Sequence, residues 1–181
     1  MYGILNTMIR PEPNNQEKIL RESDFIVSKT DPKGIITYGN QIFIEYSGYS
    51  ESELLGAPHN ILRHPDMPAL VFKLLWDTIK QGREIFAFVK NLSKDGSFYW
   101  VFAHVTPSYS LDGRLSGYYS VRRKPKDGAV SAVVPIYSQL LKLEKEHGRS
   151  RGMQLGSELL DRTLSEAGME YDEFVLRLQN K

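Results

Sequence analysis

The sequence contains no cysteine among its 181 residues. This absence excludes disulfide bonds, thiolate zinc sites, cysteine nucleophiles, iron–sulfur clusters and any photochemistry that needs a cysteine adduct. An excess of one charge is also missing, because 23 lysines and arginines balance 22 aspartates and glutamates for a net charge of +1. No broad basic surface for nucleic acid or an anionic membrane is therefore expected.

Long apolar runs are lacking as well. No stretch reaches the ~18 apolar residues that a membrane helix needs. The N-terminus, "MYGILNTMIRPEPNNQEKIL", has no basic start followed by a sustained apolar core, as a secretory signal would. We therefore expect a cytoplasmic protein without direct membrane insertion.

The usual marks of catalysis are absent too. The sequence has no Gly-x-Gly-x-x-Gly fingerprint, no Walker motif and no serine in a strand–turn–helix elbow. Its histidines and carboxylates do not follow the spacing of a zinc site. We therefore predict that the protein is not an enzyme and binds no metal ion.

The hydrophobic fraction of 41% is typical of a globular protein, and its periodicity predicts the elements. Two strand candidates joined by "DPKG" precede a helical middle section, with breaks at Gly48 and Gly56 and a long helix in "MPALVFKLLWDTIKQG". Three further strands, joined by turns that contain Asp-Gly, follow. Hairpins at both ends predict an α+β fold, with an antiparallel sheet of about five strands and helices on one face.

The flanking segments are different in character. Residues 1–23 are expected to form an N-terminal cap segment with a short helix in "QEKILRES", and residues 24–124 the central domain. Residues 125–181 are expected to contain a linker, "KPKDGAVSAVVP", followed by amphipathic helices.

The two faces of the sheet follow from strand alternation. In "EIFAFVKN" and "YWVFAHV" one row consists mainly of small residues and includes Asn91, whereas the other row is aromatic. A ligand cavity needs small side chains beneath it, so we expect the small row to face the helices and a pocket. The aromatic row is expected to dock the N-terminal helix, the C-terminal helices or a second subunit in a homodimer; it comprises Phe86, Phe88, Trp100 and Phe102.

Several motifs between about residues 24 and 123 carry a family resemblance. They are "GNQIFIEYSGYSESELLGAPHNILRHPDMP", "LWDTIKQG", "VKNLSKDGSFYWV" and "GYYSVRR". Together they resemble the PAS domain of the aerotaxis-receptor (Aer) type, which short CetB-like energy-taxis proteins share. The resemblance implies a PAS fold that holds FAD and senses redox or energy state. It also implies signalling by contact with a methyl-accepting chemotaxis-type receptor or another signalling protein.

The resemblance also implies the cofactor contacts by position. They are Asn40, Asn60, Arg63, His64, Asp66, Trp76 and Asn91, to which Arg122 on the last strand adds a donor. One position departs from the family pattern, because "GREIFAF" replaces the usual Gly-x-Pro-Trp-x-Gly. Ile85 therefore stands where the family has tryptophan.

The stretch "HNILRHPDMP" is interpreted as a binding loop in preference to a purely structural segment, in which Arg63 would pair with a carboxylate. Arg63 and His64 are expected to donate to phosphate or ribityl oxygens, while Asp66 orients one of them and caps the helix that begins at Pro68.

Two alternatives remain open. One is a haem-binding gas sensor that uses His59 or His64, since strand alternation directs His104 away from the pocket. The other is a PAS module without cofactor that only dimerises or serves as an adaptor. In the preferred interpretation the C-terminal helices form the output surface. Truncation after about Arg123 is then expected to remove partner binding and leave the cofactor bound.

Overall fold

The computed structural model describes residues 10–180, and its centre is a five-stranded antiparallel sheet. The strands are β1 (Ile26–Thr30), β2 (Ile36–Gly39), β3 (Ile85–Leu92), β4 (Phe98–Tyr109) and β5 (Leu115–Arg123). Their order across the sheet is β2-β1-β5-β4-β3, which leaves β2 and β3 at the edges. The predicted α+β fold, with a hairpin before the helices and a three-strand meander after them, is confirmed.

The predicted assignment of residues to the two sheet faces is also confirmed. In the β3–β4 pairing Ala87 lies opposite Ala103, and Asn91 lies opposite Tyr99. Asn91 and Ala103 line a cavity on one side of the sheet, called here the inner face. The aromatic row therefore lies on the opposite, outer face.

Three α-helices and a 3-10 helix connect β2 to β3. They are α1 (Gln41–Ser47), α2 (Glu51–Leu54), the 3-10 helix (His59–Leu62) and α3 (Ala69–Lys80). The predicted breaks at Gly48 and Gly56 are confirmed, since both glycines have positive φ. Gly48 closes α1 in the left-handed conformation, which is the usual end of a helix.

The N-terminal segment is not the helix predicted in "QEKILRES". Asn15 has a φ of 60°, and the chain then runs alongside the start of β4. Lys18 N–H donates to the Phe98 carbonyl (2.7 Å), and Phe98 N–H donates to the Gln16 carbonyl (2.8 Å). These bonds occupy backbone groups that a helix would need for itself. The first nine residues of the predicted cap segment lie outside the described residues.

The C-terminal extension is helical almost from its start. It contains α4 (Asp127–His147), α5 (Arg149–Ala167) and α6 (Tyr171–Asn180). The predicted linker is wrong beyond residue 126, because α4 continues through Pro135. The helix buries Ala129, Val133, Tyr137 and Leu140 on one side, and this burial offsets the loss of one backbone hydrogen bond at the proline. None of the helices formed by residues 10–180 combines the length and apolarity needed to span a membrane.

The C-terminal helices cover the aromatic row and the free edge of β3. The Tyr137 hydroxyl of α4 donates to the Phe88 carbonyl at 2.8 Å, and its ring lies 6.3 Å from the Trp100 ring. Helix α6 packs on β3, and Phe88 and Phe102 are buried. The expectation that this face docks the C-terminal helices is confirmed, and an edge strand is shielded at the same time.

Helices α4 and α5 form a tight antiparallel pair, called here the C-terminal hairpin, that also binds α3. The Glu144 carboxylate accepts hydrogen bonds from the Ala69 and Leu70 N–H groups at 2.9 and 3.0 Å. It thereby caps α3 and meets the positive end of the helix dipole. The expectation that Asp66 caps this helix is wrong, because its carboxylate pairs with Lys90 at 2.7 Å.

Replacing Gly152 by alanine is expected to destabilise the protein even though alanine favours helices. An added Cβ would lie 2.4 Å from the Glu144 Cα, so α4 and α5 must separate. We expect the free energy of unfolding in urea to fall by about 1–3 kcal/mol. Gly128→Ala in α4 is the control, because an added Cβ there has no neighbour within 4 Å. An equal change in both variants would contradict the close packing of the hairpin.

The Glu144→Ala variant tests the cap on α3. Two N–H groups lose their acceptor, so we expect the free energy of unfolding to fall by about 1–2 kcal/mol. Glu146→Ala removes the same charge from an exposed position of the same helix. It should change stability by less than about 0.5 kcal/mol. If the two variants unfolded at the same urea concentration, the Glu144 cap would not contribute to the stability of the protein.

Candidate functional site

A cavity of about 500 Å³ lies on the inner face of the sheet. This volume falls within the range of about 300–1,000 Å³ that is usual for small-molecule sites. Its walls come from the small-residue row, the 3-10 helix, α3 and the start of α5. Apolar and aromatic side chains dominate the lining, including Phe72, Trp76, Ile79, Val89, Val105 and Tyr118. The lining suits a largely apolar molecule with a few polar contacts.

A buried cation forms the polar centre of this lining. Arg122 is only 2% exposed, and its Nη2 donates to the Ser28 hydroxyl. The guanidinium carbon lies 4.7 Å from the centre of the Phe43 ring. Within residues 10–180, its Nε and Nη1 have no hydrogen-bond partner. Burial lowers the pKa of Arg122 to about 10, so the group keeps its charge at neutral pH.

A second polar residue of the cavity lining, Asn91, is unpaired as well. Asn91 is 4% exposed and lines the cavity, and its Nδ2 finds no partner in the described part of the chain. Buried donors are nearly always satisfied in folded proteins, since leaving one unpaired costs about 1–3 kcal/mol. Two such residues in one cavity wall point to a ligand with hydrogen-bond acceptors.

His59 belongs to the same polar group. The sequence singled it out only as a haem ligand, yet its Nε2 lies 3.2 Å from the Ser28 hydroxyl oxygen. Since that oxygen accepts from Arg122, its own proton is free to donate to Nε2. Burial and the charge of Arg122 lower the pKa of His59 to about 3. The imidazole is therefore neutral, and Nε2 is already occupied.

Five of the predicted cofactor residues line the cavity, namely Asn60, Arg63, Trp76, Asn91 and Arg122. Trp76 packs edge-on against Tyr118 at 5.6 Å. The position of the Trp76 ring also accounts for a glycine at residue 34, because an added Cβ would lie 2.7 Å from the indole. The φ of Gly34 is +83°, which also favours glycine. Arg63 stacks over Phe72 at 4.5 Å and donates to the Met67 carbonyl at 3.1 Å.

The structure places Asn40, His64, Asp66 and Ile85 outside the cavity lining. Asn40 accepts from the Val27 and Phe43 N–H groups and donates to the Phe25 carbonyl. Its amide therefore joins β1 to α1. Ile85 is buried in a small apolar cluster behind the cavity wall.

His64 and Asp66 form a separate pair beside β3. His64 is 2% exposed, its Nδ1 accepts from the Asp66 N–H at 3.1 Å, and its Nε2 is buried without a partner among the described residues. Burial and the charge of Lys90 lower its pKa to about 4, so it is neutral at pH 7. Cofactor contacts by these two residues remain a prediction.

Sequence reasoning missed the residues that α5 contributes. Arg149 and Met153 line the cavity although they lie more than twenty residues beyond the last strand. The amphipathic pattern of α5 predicted a buried face, and nothing in that pattern indicates which surface the face covers.

A flavin fits this donor set. Its ring carries acceptors to which Arg122 and Asn91 would donate, and its flat ring would pack on aromatic side chains such as Trp76 and Phe72. Between residues 10 and 180, no group of three His, Asp or Glu side chains is arranged to hold a metal ion.

Residues 36–122 match the family described as the PAS fold. The aerotaxis receptor of Escherichia coli (strain K12) is 40% identical over 130 residues, which cover 72% of this chain and 26% of the receptor. The bacterioopsin transcriptional activator of Halobacterium salinarum is 30% identical over 118 residues, which cover 64% of this chain and 18% of that protein. The chain thus spans about a quarter or less of the length of these curated relatives.

Solved structures agree with this match. A light-oxygen-voltage domain, determined in a study of a flavin analogue, superposes with a TM-score of 0.54 at 24% identity. The superposition covers 61% of this chain and 83% of that domain, and it bears on the fold alone. The sheet order, the local motifs and the likeness to the receptor all indicate the same kind of domain. Residues 36–122 of this chain form a PAS domain of the aerotaxis-receptor type.

Proposed function

We propose that this chain is a redox or energy sensor that binds a flavin, FAD, in the cavity on the inner face of the sheet. The unpaired N–H groups of buried Arg122, together with the unpaired Asn91 amide in the same cavity lining, carry this proposal. A charge inside a protein costs several kcal/mol unless it is paired, so its presence here favours a ligand that completes its hydrogen bonds. The likeness to an aerotaxis receptor supports the same function.

A series of polar contacts runs from Arg122 through Ser28 to His59, and it can respond to the redox state of a ligand. A bound flavin supplies a reversible change of charge and protonation at its ring nitrogens. Arg122 would meet that change through its unpaired N–H groups, and it donates to the Ser28 hydroxyl, which in turn contacts His59. A change in the ligand's acceptors therefore alters how strongly Arg122 holds Ser28, and the shift reaches the 3-10 helix through His59.

Protein contact is the proposed output. We infer that a chemoreceptor-type signalling protein is the partner and that the C-terminal helices contribute the contact surface. The homodimer and the cytoplasmic location expected from the sequence remain predictions. The sequence led us to expect that truncation after Arg123 leaves the cofactor bound. We revise this expectation, because α5 lines the cavity and α4 caps α3. Truncation should now weaken cofactor binding as well.

The absorption spectrum of the freshly purified full chain tests the cofactor. We expect flavin bands in the near-ultraviolet and blue, and FAD in the supernatant after heating. A sharp haem band would contradict the proposal and favour the haem sensor. A colourless protein that also fails to bind added flavin would favour the module without cofactor.

The Arg122→Met variant is expected to have opposite effects on stability and binding. Removing a buried, partly unpaired charge should raise the free energy of unfolding of the ligand-free protein by about 1–2 kcal/mol. Loss of the donors should weaken flavin binding by at least about tenfold. Urea denaturation and a flavin titration measure the two effects.

Arg123→Met is the matched control, since Arg123 is an exposed neighbour on the other row of β5. It should leave flavin affinity unchanged. A purely structural Arg122 would show the reverse pattern, with a less stable Arg122→Met protein that binds flavin normally.

A further inference from the structure

The cavity is cationic beyond its buried arginine. Its lining contains Lys33, Arg63, Lys73, Arg122 and Arg149, and no aspartate or glutamate from the described residues. The whole chain carries a net charge of only +1, so the lining is locally more positive than the chain as a whole. A site of this kind favours an anionic ligand.

The charge lies at two ends of the cavity. Arg122 is buried at the inner end, whereas Lys33, Lys73 and Arg149 are exposed and Arg63 is half-buried. The exposed and half-buried cations therefore mark the mouth. Phe72 and Met153 also line the cavity, and the Arg63 guanidinium stacks on the Phe72 ring. An occupant thus meets apolar walls as well as cations at both ends.

Two arginines, Arg63 and Arg149, line the mouth of the cavity. Neither Arg63 nor Arg149 forms an ion pair within residues 10–180. The nearby carboxylate, Glu144, is already bonded to two backbone N–H groups of α3. Arg10 adds a third guanidinium, because it donates to the Asn60 carbonyl at 3.1 Å. Burial is the main cause that lowers the pKa of Arg63, and the charge of Arg149 lowers it further.

We propose that the cavity mouth is a phosphate-binding site for a flavin nucleotide, and that Arg149 of the C-terminal hairpin is one of its ligands. Arg63 supplies the second guanidinium from the loop before α3. Guanidinium groups bind phosphate oxygens through charge-assisted, often paired hydrogen bonds. This inference rests on the proposed flavin function and names the group that the mouth recognises.

Through Arg149 the ligand would contact the C-terminal helices. Arg149 is the first residue of α5, and α5 packs against α4 and α3. A phosphate held between Arg63 and Arg149 bridges the PAS domain and the hairpin. Cofactor loading therefore also fixes the start of α5 against the sensor, which a riboflavin without phosphate does not do.

Titration of the ligand-free full chain with riboflavin, FMN and FAD tests the site. We expect the wild-type protein to bind FMN and FAD at least about tenfold more tightly than riboflavin. Arg149→Ala should weaken FMN binding by roughly five- to tenfold and leave riboflavin binding unchanged. Added salt should weaken FMN binding more in the wild-type protein than in this variant.

Arg151→Ala is the matched control, because it removes the same charge two residues further along α5. Arg151 does not line the cavity and donates to Gln154 at 2.8 Å. Its FMN affinity should equal that of the wild-type protein.

The outcomes separate this inference from the proposed function. Equal affinities for riboflavin and FMN would overturn the phosphate site and leave the flavin sensor intact. Equal effects of Arg149→Ala and Arg151→Ala on FMN binding would overturn the role of Arg149. Failure of all three flavins to bind the wild-type protein would overturn the proposed function itself.

Discussion

The arrangement of this protein depends on one buried charge. Arg122 lies on the inner face of the sheet, where it donates to the Ser28 hydroxyl and lies over the Phe43 ring, and its Nε and Nη1 have no hydrogen-bond partner among the described residues. The small side chains around it leave a cavity where close packing would otherwise fill the space. A protein without a ligand at this place would carry an open cavity and an unsatisfied cation together. A single bound molecule with acceptors resolves both.

The C-terminal helices are part of the same structure and not an appendage to it. They bury Phe88 and shield the edge of β3, they cap α3 through Glu144, and they contribute Arg149 to the cavity. A PAS domain without them would expose an aromatic face and an unpaired strand edge. In the proposed function the helices that meet a partner would therefore also touch the ligand site.

Much of the fold was predictable because its signals are local. Strand alternation correctly placed Asn91 on the cavity side, and turn chemistry correctly located the hairpins. The errors involve partners far apart in the chain. The cap on α3 comes from Glu144 and not from the adjacent Asp66, and a pairing with β4 replaces the predicted N-terminal helix. Arg149 escaped prediction for the same reason, because an amphipathic pattern reveals a buried face without revealing its neighbour.

A crystal structure of the full chain, purified with its natural ligand, tests the central claim most directly. We predict a flavin on the inner face, with the Nε and Nη1 of Arg122 and the Nδ2 of Asn91 within about 3.2 Å of its acceptor atoms. A flavin bound elsewhere would contradict the claim. So would an empty cavity in which Arg122 and Asn91 find partners within the protein itself.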